Sequence, residues 1–113
     1  MITLTIVAAF FIIPVVEIIL GLMKPKKEIN NIIGYRTAKT MSSQEMWDYG
    51  QLLMKKYMLR SGIISLIIGI IGLLISLFLN PLWAGMLVAI IVVIQSVVLV
   101  VAVVMLENAM NKK

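Results

Sequence analysis

Three long apolar runs, separated by two polar breaks, set the pattern of this chain. The first runs from about Ile2 to Met23, the second from about Ser61 to Leu79, and the third from about Leu82 to Leu106. A crossing of the hydrocarbon core takes about 20 apolar residues. Each run qualifies, and each is predicted to be a helix, because unpaired backbone groups are too costly in lipid. The break between the second and third runs is only Asn80-Pro81. So short a polar joint predicts a tight turn and an antiparallel helical hairpin. The other break, residues 24–60, is long and mixed. The expected fold class is therefore all-α: an integral membrane protein with three transmembrane helices.

The long break divides further. Lys24-Pro25 ends the first helix, since the residue before proline avoids the helical region. From about Ser43 to Arg60 a second amphipathic pattern appears, with Met46, Tyr49, Leu53 and Tyr57 on one side. Glu45, Asp48, Lys55 and Lys56 fall largely opposite. Aromatics beside basic residues at a membrane edge predict a cytoplasmic interfacial helix, running on directly into the second span in one version. Ser42 and Glu45 are spaced as a capping box at its start. Residues 107–113 form a tail.

Small residues mark packing faces. Ser61, Ser65, Gly69, Gly72 and Ser76 recur every three or four positions, and Gly85 and Ala89 begin a similar stripe on the third span. Such stripes let helices approach closely in lipid. Packing of the second and third spans within one chain is the favoured reading, with a homo-oligomer interface as the alternative.

Polar residues inside the spans are few. Glu17 lies in the first span, one turn after Pro14, which frees the carbonyl of Phe10 and invites a kink. An intramembrane carboxylate costs roughly 2.5–3.5 kcal/mol on insertion scales and is a functional candidate by default. Glu17 is either a proton carrier or ligand group, or a structural group paired with a loop base, Gln95 or Ser96. Gln95 itself reads as an interhelical hydrogen-bond donor.

Composition supports the membrane assignment. The chain has 113 residues, enough for one domain, of which 62% are hydrophobic and 13% charged. A soluble domain this small could not bury so much apolar surface. The formal net charge is +5, but Lys24, Lys26, Lys27, Arg36, Lys39, Lys55, Lys56 and Arg60 all lie between the first two spans. Lys112 and Lys113 close the tail. Three crossings put every one of these on one side, so the positive-inside rule places the N-terminus outside and the C-terminus in the cytoplasm. This clustering speaks for orientation and lipid contact, and no nucleic-acid partner is expected. The first run lacks a basic leader and a small-residue cleavage site, so it reads as an anchor and not a removed signal.

Histidine and cysteine are both absent. That removes the commonest acid–base group and the thiolate ligand. Glu45 and Asp48 could share a cation three residues apart, but acids at a helix start are simply explained by the macrodipole. No catalytic residue, metal or cofactor is expected, and an enzyme is the least favoured class.

The stretch Asn31 to Met41 is too short and irregular for a helix. Gly34 permits a turn that other residues resist. Arg36 offers five donors in a fixed fork suited to a carboxylate or phosphate. Thr37 and Thr40 can tie off loop backbone. From chemistry alone this is an ordered loop pinned by Arg36, whose partner is a lipid phosphate, Glu17, Glu45, a helix C-terminus or a foreign ligand.

Asn31-x-x-Gly34-Tyr35-Arg36-Thr37-x-x-Thr40, followed by Ser42, Glu45 and Trp47, resembles the signature of the SdpI immunity-protein family of bacterial membrane proteins. One span before the motif and a hairpin after it also fit that family. The resemblance covers nearly the whole chain and implies a single SdpI-like membrane domain over residues 1–113. It implies location in the bacterial cytoplasmic membrane, and immunity to a toxic peptide or signalling through a cytoplasmic regulator. Asn31, Gly34, Tyr35, Arg36, Thr37, Thr40, Glu45 and Trp47 are its candidate site residues. Ala38-Lys39 replaces the proline and aromatic found in many members, and Gly50-Gln51 replaces Ala-Asn or Thr-His. The competing expectation is a small oligomeric transporter or channel subunit that uses Glu17.

Overall fold

The computed structural model describes residues 4–24, 27–30 and 34–112. Three helices account for most of them: α1 (Leu4–Leu22), α2 (Gln44–Ser76) and α3 (Pro81–Asn111). A 3₁₀ turn at Thr40–Ser42 precedes α2, and no strand occurs among the described residues. All three helices are long and apolar enough to cross a membrane. The molecule measures 54 × 23 × 18 Å, an elongated antiparallel bundle.

Side chains are arranged for lipid. Ile63, Ile67, Ile70, Ile71, Leu74 and Ile75 of α2 are exposed, whereas its Ser61, Ser65, Gly69, Gly72 and Ser76 are buried. Apolar exposure on that scale would be an aggregation liability in water and is the expected surface in a bilayer. Buried positions on α1 are Phe10, Pro14, Glu17 and Gly21, again spaced by three and four. This alternation keeps one seam of each helix facing its neighbours.

The small-residue stripe of α2 packs within the chain, but mainly on α1. A methyl group added at Gly62 would meet Ile18 Cγ1 at 2.7 Å, and one at Gly21 would meet the backbone nitrogen of Leu59 at 2.8 Å. Gly72 lies between Phe10 and Ile91, so the lower stripe serves α1 and α3 together. Gly85 and Ala89 do not extend this arrangement. Both are exposed, and nothing lies within 4 Å of a methyl group built on Gly85. The hairpin turn forms as its residues dictate. The Asn80 side chain accepts from the Trp83 nitrogen at 3.0 Å, and Pro81 opens α3.

Two details differ from the sequence reading. The segment from Ser43 to Arg60 does not make a separate interfacial helix; the continuous version holds, and α2 runs unbroken from Gln44 through Ser76. Good helix formers such as Leu52, Leu53, Met54, Lys55 and Lys56 carry it across the boundary. The face of that segment turned to the rest of the chain is a neighbouring one: Trp47, Gly50, Gln51 and Met58 are buried, while Met46, Tyr49, Leu53 and Tyr57 are only half-buried. The cap also falls one residue later than expected. Ser43 accepts from the Met46 nitrogen at 3.1 Å, while Ser42 donates to the Lys39 carbonyl at 2.5 Å and closes the 3₁₀ turn. Glu45 therefore stands in the first turn of α2, where its charge suits the helix dipole, and not in a box with Ser42.

These lengths create a head on the bundle. From Gln44 to Arg60, α2 rises about 25 Å before its apolar span begins. The last turns of α3 reach the same end, and the loop before α2 is folded against both.

Candidate functional site

The loop is tied to α2 through Gln51. Its side-chain amide accepts from the Tyr35 nitrogen at 2.9 Å and donates to the Tyr35 carbonyl at 2.7 Å. A side-chain amide that satisfies both backbone groups of one residue mimics a strand pairing and fixes the loop's position. Gly34, immediately before, has φ +111°, a conformation that L side chains rarely adopt. It also sits against the helix: an added methyl group would lie 2.9 Å from Gln51 Oε1 and 3.1 Å from Trp47 Cη2. Trp47 is wholly buried under this turn.

Thr37 and Thr40 close the next turn on each other. The Thr37 nitrogen donates to Thr40 Oγ1 at 2.8 Å, and the Thr40 nitrogen donates to Thr37 Oγ1 at 3.1 Å. Thr40 Oγ1 donates in turn to the Tyr35 carbonyl at 3.0 Å. Thr40 is fully buried, and its methyl group fills the place a side chain on Gly50 would take. Met110 of α3 reaches the same spot. The Tyr35 hydroxyl donates to a carboxylate oxygen of Glu107 in a short hydrogen bond, which ties the loop to α3 as well.

Arg36 stands apart from this lock. It is exposed and makes no hydrogen bond or ion pair among the described residues. The expectation that Arg36 pins the loop is therefore corrected: the two threonines, Gly34, Tyr35 and Gln51 hold it, and Arg36 is left on its surface. Asn31 lies outside the described residues. Glu45 is exposed at the start of α2.

Gln51 and Glu107 were not expected as site residues. Gln51 lies one turn after Trp47 on the same face of α2, a polar position in line with a buried aromatic. Glu107 is an acid near the C-terminal end of α3, where the helix dipole disfavours it. That mismatch is the signal that it serves a partner, here Tyr35.

The intramembrane polar residues form a second cluster. Glu17 is buried and accepts a short hydrogen bond from Ser61 Oγ of α2. Its other oxygen has no partner among the described residues, nor has Ser65 Oγ. Gln95 of α3 donates to the Phe10 carbonyl at 2.9 Å and to the Ser65 carbonyl at 3.0 Å. Among the described residues Glu17 pairs with neither Gln95 nor a loop base. Ser96 instead donates to its own helix, to the Val92 carbonyl.

Fold and site together define a multi-pass membrane protein that holds an ordered polar loop over the ends of two of its helices. A model of the SdpI/YfhL protein family matches residues 26–106, which include the loop, all of α2 and most of α3. The chain belongs to the SdpI/YfhL family. No curated protein and no solved structure matches it.

Proposed function

We propose that the protein confers immunity to a toxic peptide or relays a signal through its loop, by binding an acidic group at Arg36. One observation carries this reading. Gly34, Tyr35, Thr37, Thr40 and Trp47 of the motif are committed to the fold, while Arg36 between them is exposed and bonded to none of the described residues. A rigid loop that presents one free guanidinium is preorganised for a carboxylate or phosphate of a partner. In the proposed orientation the loop and the C-terminus face the cytoplasm, as the clustering of the basic residues supports. The protein then acts as a binder and not as an enzyme.

The test is expression in a sensitive bacterium challenged with a panel of membrane-active toxic peptides. Protection is expected, with Arg36→Ala removing it at an unchanged membrane level. Absence of protection across the panel would sink the immunity version. Capture of a soluble regulator at the membrane, lost in Arg36→Ala, would support the signalling version.

A second reading rests on Glu17, whose buried carboxyl group keeps one oxygen without a partner among the described residues. An oligomer could use it to pass protons or a small solute. Liposome flux that is unchanged in Glu17→Gln would count decisively against it.

A further inference from the structure

A lateral groove runs between α2 and α3 on a side that α1 does not line. Its volume is about 340 Å³, and its walls include Ile64, Val97, Val98 and Val101, with Tyr57 and Arg60 at one end. At that end it meets a second bay of about 300 Å³, lined by Tyr49, Asn108 and Lys112. Tyr57 and Met105 border both. The two make one channel-like furrow, apolar at the depth of the spans and polar towards the head.

We propose that this furrow holds one anionic phospholipid from the bilayer, an acyl chain in the apolar part and the phosphate at Arg60. Two observations carry it. First, the polarity gradient follows that of a lipid molecule, and the apolar part opens outward, with Val97 56% and Val101 50% exposed. Second, the donors stand at the boundary. Arg60 is exposed and unbonded among the described residues, and Tyr57 sits one turn away on the same helix. A guanidinium and a phenol at that spacing can share one phosphate, and Lys112 adds positive charge above it. The site is independent of what Arg36 binds.

The test uses the purified full chain in detergent with equal amounts of phosphatidylglycerol and phosphatidylcholine, read by native mass spectrometry. One retained phosphatidylglycerol is expected, preferred over phosphatidylcholine about fivefold, the effect of one basic residue near a membrane surface. Arg60→Gln should abolish the preference. Val101→Trp should fill the groove and lower retention of both lipids. Lys39→Gln, a loop charge away from the furrow, should leave both quantities unchanged. Equal retention of the two lipids by the wild type, or a preference that survives Arg60→Gln, overturns the proposal. So does a dimer that retains no lipid and dissociates in Val101→Trp, which would assign the furrow to a second copy.

Discussion

Gln95 of α3 donates to the carbonyl of Phe10 on α1, at 2.9 Å. That carbonyl is the one Pro14 leaves without a partner, because proline has no N–H to give. The same amide nitrogen donates to Ser65 of α2 at 3.0 Å, so one side chain joins all three helices. Both partners are oxygens, so the amide must present its NH₂ group to them. Within lipid, no water replaces a lost bond. Gln95→Leu is therefore expected to destabilise the bundle by about 1–2 kcal/mol, measured by denaturant titration in micelles. The cost should shrink when Pro14→Ala is present, since the alanine N–H restores a partner for Phe10. An equal cost in both backgrounds would show that Gln95 does not act through that carbonyl.

Gly69 and Gly85 should respond oppositely to the same change. A methyl group at Gly69 would lie 2.5 Å from the Phe10 carbonyl oxygen, which is backbone and cannot swing aside. Gly69→Ala must push α1 away and lengthen the bond from Gln95, at a cost of about 1–3 kcal/mol. Gly85→Ala meets open space and should shift stability by less than about 0.5 kcal/mol. The same titration compares the two.

The spans were legible because hydropathy and length leave little choice in a bilayer. The buried face of α2 was legible too, from the spacing of Ser61, Ser65, Gly69, Gly72 and Ser76. What covers that face was not. The stripe suits any helix that comes close, and the choice of α1 depends on Gly21 and Phe10, which carry no such signal of their own. The loop was readable as ordered, but its lock was assigned to the wrong residue. Arg36 has the greatest bonding capacity on paper, whereas the pairing of Gln51 with Tyr35 joins positions sixteen apart and leaves no local pattern. Glu107 and Tyr35 are further apart still, on elements that only the folded hairpin brings together.

The threonine turn should control the loop's mobility. Thr40→Val keeps the buried shape but removes the hydroxyl that serves Thr37 and Tyr35. Tryptic cleavage after Arg36 and Lys39 is expected to accelerate, because that backbone must open locally to enter a protease. Thr40→Ser keeps the hydroxyl and loses the methyl group against Gly50, so cleavage should rise less. A wild-type cleavage rate in Thr40→Val would mean that the hydroxyl bonds do not hold the turn.

Gly34→Ala should be the most damaging loop substitution. It forces a side chain into φ +111° and towards Gln51 and Trp47 at once. Strain of about 1–3 kcal/mol is expected, and the loop can escape it only by leaving the helix. Hydrogen exchange at the Tyr35 amide reads this directly, since that N–H donates to Gln51. Protection should fall in Gly34→Ala and in Gln51→Leu alike. It should persist in Arg36→Ala, which alters a surface residue and leaves the lock intact. Loss of protection in Arg36→Ala would return the arginine to a structural role and remove the basis for assigning it to a partner.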